Sequence, residues 1–151
     1  MEQQNLGERV RELFALQGLA VLATQGGEGP HTSLVAFAAT DSLRGIVFAT
    51  ERDTRKYANL VADPRVALLV DDRSHRAVDL VEATAVTAAG RAHEAQGQER
   101  ESLTELLVNR HPALKPFLAA SGCALITVAV EGYQVVTRFQ SVAEFRPAAQ
   151  T

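Results

Sequence analysis

Two threonine hydroxyls and an adjacent Arg–Lys pair stand close together in the stretch ATERDTRKYANL, residues 49–60: Thr50, Thr54, Arg55 and Lys56. With its flanks, this stretch reads as a strand ending at Thr50 and a helix beginning near Asp53 or Thr54, which puts Arg55 and Lys56 in the first helical turn. Free backbone N–H groups and the macrodipole already make a helix N-terminus positive. Two basic side chains there are mildly destabilising unless an anion joins them. An Arg–Lys pair is most often plain solvated surface. Here hydroxyls, free N–H groups and both cations converge on one point, and that combination suits a phosphate.

The other reactive side chains form no such group. Gly26, Gly27 and Gly29 have the spacing GGEGP, neither a P-loop nor a dinucleotide fingerprint, and Pro30 leads into a strand, so the segment reads as a hairpin turn. His31, His75, His93 and His111 contain no i, i+4 pair of the kind a zinc helix uses, and read as ordinary histidines. Asp71–Asp72 and Glu99–Glu101 lie in polar segments, where solvated charge is the common outcome. Nothing resembles a Ser-His-Asp set. The single cysteine, Cys123, precludes an internal disulfide or a Cys-rich zinc site, and within CALITVAV it reads as an inert buried thiol.

The elements that must position the phosphate group follow from the changing period of the chain. Leu6, Val10, Leu13 and Phe14 recur at helical spacing up to Gly18. Residues 19–24, 31–38 and 45–50 are short β-type runs separated by turn residues, an antiparallel meander. After the helix around 54–62, closed by Asp63–Pro64, the run VALLV (66–70) is apolar throughout, as in a strand covered on both faces. A polar connection over 71–79 leads to a long strand of small residues over 82–94. A helix follows over 97–118, broken at Pro112. Strands over 123–130 and 133–139 with only Glu131–Gly132 between them predict a tight hairpin, and 142–145 adds a short edge strand.

One domain over residues 1–151 is expected, with 46% hydrophobic residues to fill its core. Its fold class is mainly β: a six- to seven-stranded antiparallel barrel, closed or partly closed, with peripheral helices. The net charge of −3 and the absence of a Lys/Arg block give no footprint for nucleic acid or for an anionic membrane surface. No apolar run approaches the ~20 residues that span a bilayer. Charges interrupt the first seventeen residues as they do no secretory signal, so a soluble, cytoplasmic protein is expected. Strands this apolar on both faces need more cover than the helices provide. A homodimer through VALLV and the small-residue strand supplies it.

The segment PHTSLVAFAATDSLRGIVFATERDTRKYANLVADPRVALLV (30–70) has a strand, then a second strand ending in the step Ala49–Thr50. A Thr-Arg-Lys triplet then opens a helix that closes on Asp63–Pro64. It resembles the FMN-binding split-barrel family typified by pyridoxamine 5′-phosphate oxidase. The resemblance implies that Arg55 and Lys56 hold the FMN phosphate, that Thr50 and Thr54 add hydrogen bonds, and that the backbone of Ser33, Leu34, Val35 and Ala36 runs along the isoalloxazine. It implies an FMN-dependent, homodimeric oxidoreductase acting on an unidentified small molecule. A deazaflavin- or haem-binding protein of the same fold, or a flavin-binding module without turnover, are the alternatives.

Departures from the oxidases are specific. Ser33 and Ala38 stand where the family carries basic residues, and Ala85 where it carries a glutamine before the strand glycine, here Gly90. The C-terminal segment VVTRFQSVAEFRPAAQT lacks the oxidases' Arg-x-His-x-Arg substrate signature, so a relative of the oxidases is expected, with vitamin-B6 phosphates as poor substrates. The haem-degrading relatives depend on a C-terminal histidine, and none follows His111. No residue stands out as a general acid or base. Tyr133 and Arg138, on the final hairpin, are the candidates to face a partner subunit's flavin.

Overall fold

A computed structural model describes residues 2–138 and 140–148. The chain opens with α1 (Glu2–Leu16), which buries Leu6, Val10, Leu13 and Phe14 on one stripe, as their spacing predicts. β1 (Leu19–Gly26) and β2 (Gly29–Ala39) form a hairpin around the two-residue loop Gly27–Glu28. β3 (Gly45–Glu51) leads into α2 (Arg55–Ala62), which ends where Asp63 turns extended ahead of Pro64. β4 (Arg65–Asp71), α3 (Asp79–Glu82), β5 (Ala85–Glu94), α4 (Gly97–Arg110) and α5 (Lys115–Ala119) follow. β6 (Cys123–Thr137) and β7 (Ser141–Phe145) complete the chain.

All pairings are antiparallel, in the order β3-β2-β1-β4-β5-β6-β7, and a further pairing of β3 with β6 closes the first six strands into a barrel. Closure removes the edges that an open sheet would expose. β6 makes the split. Its first half, Cys123–Ala129, pairs with β3, and Tyr133–Thr137 on the same edge pairs with β7. Leu22, Phe37, Phe48, Leu68 and Ile126 fill the interior together with the apolar stripe of α1. A second cluster, including Ala38, Val47, Leu107, Leu118 and Leu125, lies under α4 and α5 on the outside of the wall.

Three sequence expectations are corrected. The hairpin expected at Glu131–Gly132 is absent, because β6 runs unbroken for 15 residues. A two-residue hairpin loop needs positive φ, and neither residue has it; Arg138 (48°) and Gln140 (88°) do, so the turn falls there. The predicted strand end at Phe139 lies outside the described residues. The strand expected over 82–94 starts at Ala85, because Asp79–Glu82 closes a helical turn in which the Ala83 N–H reaches the Asp79 carbonyl at 3.1 Å. Asp71, expected in the polar connection, is the last residue of β4.

The strand VALLV is covered on one face only. Val66, Leu68 and Val70 point into the barrel, whereas Ala67 and Leu69 are half-buried on its outer surface. Cross-strand pairing puts Val21 beside Leu34 and Leu69, and Ala67 beside Ala23 and Ala89, giving an apolar outer face across β2, β1, β4 and β5.

Candidate functional site

Thr54 is the N-cap of α2 in extended conformation, and its Oγ1 accepts the Tyr57 N–H at 3.4 Å. The same hydroxyl donates to the Glu51 carbonyl at 2.8 Å, which folds the loop between β3 and α2 back on itself. Thr50 Oγ1 lies 3.0 Å from Thr54 Oγ1. Thr50 is only 2% exposed, so it braces the cap from beneath rather than reaching the surface. With Tyr57 taken by the cap, the N–H groups of Arg55 and Lys56 are left without helical acceptors, as the geometry of any first turn requires. Arg55 is exposed and Lys56 half-buried. Arg55 Nη2 lies 3.7 Å from Glu28 Oε2, and Lys56 forms no ion pair among the described residues.

Where α2 sits is decided by a buried contact. Asn59 Nδ2 donates to Thr24 Oγ1 at 3.1 Å, and β1 passes so near that a Cβ on Gly26 would run into the Asn59 amide. Glycine at 26 therefore lets the end of β1 and the middle of α2 approach each other.

Ser33 to Ala36 lie on β2, beside β1, with Val35 buried and Leu34 66% exposed. The Phe37 N–H donates toward β1, to the Gly18 carbonyl at 3.2 Å. Backbone groups alternate edges along a strand, so Thr32 and Leu34 direct theirs to the opposite edge. On that edge pairing with β3 extends only from Phe37 to Ala39. β2 thus offers a free stretch of backbone beside Leu34. The Ser33 hydroxyl is buried without a hydrogen-bond partner. Ala49 pairs with Leu125 of β6, next to Thr50.

Sequence reasoning missed the carboxylate that ties this loop to the barrel. Glu94, at the end of β5, accepts from Arg52 Nη2 at 2.7 Å and Nε at 3.3 Å, from the Tyr57 hydroxyl at 2.7 Å and from Gln96 Nε2 at 3.0 Å. Arg52 Nη1 also reaches the Ser121 carbonyl at 2.9 Å. The hydrogen bonds from Arg52 hold the Glu94 carboxyl below its ordinary range, and the bond to Glu94 raises the Tyr57 phenol. Only Glu94's position at a strand end hinted at such a role.

Tyr133 does not face outward. It is 2% exposed, stacks on Phe145 at 5.8 Å and donates its hydroxyl to the Leu43 carbonyl at 2.7 Å. Tyr133 is therefore a core residue, and its burial pushes the phenol well above the ordinary tyrosine range. Arg138 is in the β6–β7 turn. Among the described residues no three His, Cys, Asp or Glu side chains gather as a metal site, and no helix is long and apolar enough to cross a membrane. His111 is taken up by the Phe37 carbonyl, 2.9 Å from its Nε2. A groove of about 530 Å³ lies elsewhere, between α1 and β6–β7, lined by Glu8, Arg9, Glu12 and Val135 among others.

The family model described as pyridoxamine 5′-phosphate oxidase matches residues 6–136, from α1 nearly to the end of β6. This chain belongs to the pyridoxamine 5′-phosphate oxidase family. The 5a,11a-dehydrotetracycline/5a,11a-dehydrooxytetracycline reductase of Streptomyces rimosus is 35% identical over 101 residues, covering 64% of this chain and 70% of that one. A heme binding protein from Mycobacterium smegmatis superposes with a TM-score of 0.83 at 22% identity, over 93% of this chain and 57% of that longer one. This chain thus spans little more than half of that structure. A protein of the pyridoxinephosphate oxidase family from Clostridium acetobutylicum, related to general stress protein 26, gives 0.74 at 15% identity, over 94% of both chains. These likenesses establish the split-barrel fold. Within the family's frame, Ser33 to Ala36, Ala49, Thr50 and Thr54 to Lys56 all fall inside the matched region, whereas Arg138, β7 and Arg146 fall beyond it.

Proposed function

We propose that this chain is an FMN-dependent oxidoreductase, working as a homodimer on a small molecule. The observation that carries the proposal is the first turn of α2. A threonine pair, Thr50 buried and Thr54 half-buried, fixes the cap, two backbone N–H groups lack helical acceptors, and Arg55 and Lys56 bring positive charge to an already positive helix end. A phosphate relieves that concentration of charge. The residues present fit a phosphorylated flavin in two further respects: β2 leaves backbone groups free at Leu34, and the Ser33 hydroxyl is buried without a partner.

In this reading Arg55, Lys56 and the α2 N–H groups hold the phosphate, Thr54 and Thr50 fix the turn, and β2 lies along the ring from Ser33 to Ala36. Bound FMN supplies hydride or single-electron chemistry, and the protein supplies orientation and a shaped site. The curated relative is named a reductase, which supports turnover over a purely binding role. The uncovered outer face of β2, β1, β4 and β5 supports the homodimer.

The test is a titration of the purified protein with FMN and with riboflavin, followed by quenching of flavin fluorescence. FMN should bind far more tightly, and Arg55→Ala should weaken FMN ten- to hundredfold, the loss of a charge-assisted contact worth ~1.5–3 kcal/mol. Equal affinity for the two compounds overturns the reading. The visible spectrum as purified separates flavin from deazaflavin and haem.

A further inference from the structure

Two side chains flank the turn that carries Arg55 and Lys56, and both end on one carboxylate. Arg52 precedes the Thr54 cap by two residues and Tyr57 follows it by three, yet Arg52 Nη2 and the Tyr57 hydroxyl each lie 2.7 Å from a Glu94 oxygen. The Glu94 side chain is only 14% exposed, and Gln96 takes a further lone pair. The backbone agrees: the Arg52 N–H donates to the Gly122 carbonyl at 3.0 Å, so the loop is pinned to the start of β6 as well as the end of β5.

We infer that Glu94 is a positioning residue for the phosphate end of the cofactor, acting through Arg52 and Tyr57 on the turn Thr54–Lys56. The inference rests on the FMN reading above. Glu94 does two things. It engages the Arg52 guanidinium with two hydrogen bonds and so commits that cation to the barrel, leaving Arg55 and Lys56 for the anion. It also clamps the turn from both sides, so the two free N–H groups keep one direction. A preorganised turn binds an anion more tightly than a mobile one, because less ordering entropy is lost on binding.

The experiment measures FMN and riboflavin affinities, with melting temperatures, for the unaltered protein and for Glu94→Ala, Glu94→Gln and Tyr57→Phe. The expected result is a fall of about tenfold in FMN affinity for Glu94→Ala, smaller falls for Glu94→Gln and Tyr57→Phe, and unchanged riboflavin affinity. A merely structural role lowers melting temperature and weakens both ligands alike. Glu94→Gln keeps the side chain's shape, so it reports even where Glu94→Ala does not fold. Preference for FMN in the unaltered protein that persists in the folded variants overturns this inference alone. An unaltered protein without preference overturns the FMN reading, and this inference with it.

Discussion

Arg55 Nη2 lies 3.7 Å from the Glu28 carboxylate, so the loop between β1 and β2 reaches the first turn of α2. Both side chains are largely exposed, at 44% and 85%, and such a pair contributes about 0–1 kcal/mol. Glu28 therefore competes weakly with any phosphate that approaches Arg55. Glu28→Gln is expected to tighten FMN up to about fivefold at low salt, with the gain shrinking as ionic strength rises. Titrations at two salt concentrations check this. Weaker FMN binding in the variant would mean that Glu28 holds Arg55 in place instead of competing for it.

Leu69 is half-buried on the outer wall of β4, cross-strand from Val21 and Thr87. Leu69→Glu puts a charge into the proposed subunit interface and leaves the barrel interior untouched, so it should give a folded monomer. Sedimentation and circular dichroism are the measurements. A dimer that survives the change places the interface elsewhere.

Asp79 gathers the loop between β4 and β5. It accepts from the Ser74 hydroxyl at 2.6 Å and from the N–H groups of Ser74 and His75 at 2.8 Å each. These bonds, the Ser74 hydroxyl's first, pull its carboxyl from 3.8 down to about 2. The folded value is the lower one, so the contribution is complete above about 3.8 and is lost as pH falls toward about 2. The amide resonances of Ser74, His75 and Arg76 should shift together with a midpoint near the lower value, and Asp79→Asn should abolish the step. A midpoint at the ordinary aspartate value would show that the bonds do not persist in solution.

Pyridoxamine 5′-phosphate and pyridoxine 5′-phosphate should be poor substrates even with FMN bound. Arg146 follows Phe145, which pairs with Tyr133, whereas Arg138 is in the turn at the far end of the same hairpin. At 3.3–3.4 Å per residue, roughly 20 Å of strand separates them, so they cannot grip one substrate phosphate within a single chain. Binding energy from a non-reacting phosphate is what positions a substrate for reaction. Anaerobic mixing, followed by loss of flavin absorbance, is the check. Rapid bleaching at micromolar substrate would identify a true oxidase.

Much of the frame was legible before folding because it is written between near neighbours. The stripe Leu6, Val10, Leu13 and Phe14 fixes α1, Asp63–Pro64 stops α2, and Thr54 caps it, each through contacts within about one helical turn. The crowding of Arg55 and Lys56 at a positive helix end belongs to the same local information, and so does the hairpin turn within GGEGP, although its two-residue length does not.

What the sequence alone did not determine lies where distant segments meet. Glu131–Gly132 has the composition of a hairpin, yet β5 pairs along β6 from Ile126 to Val136 while β3 and then β7 take its other edge, and that long-range pairing overrides a local turn preference. Tyr133 looked available on a surface strand until packing against Phe14 and Phe145 buried it. Glu94 lies 42 residues from Arg52 and 37 from Tyr57, so no spacing rule could join them. Local propensity and capping set the elements and the charge of the candidate site; barrel closure chose which far side chains brace it, because only the closed sheet brings the end of β5 against the start of α2.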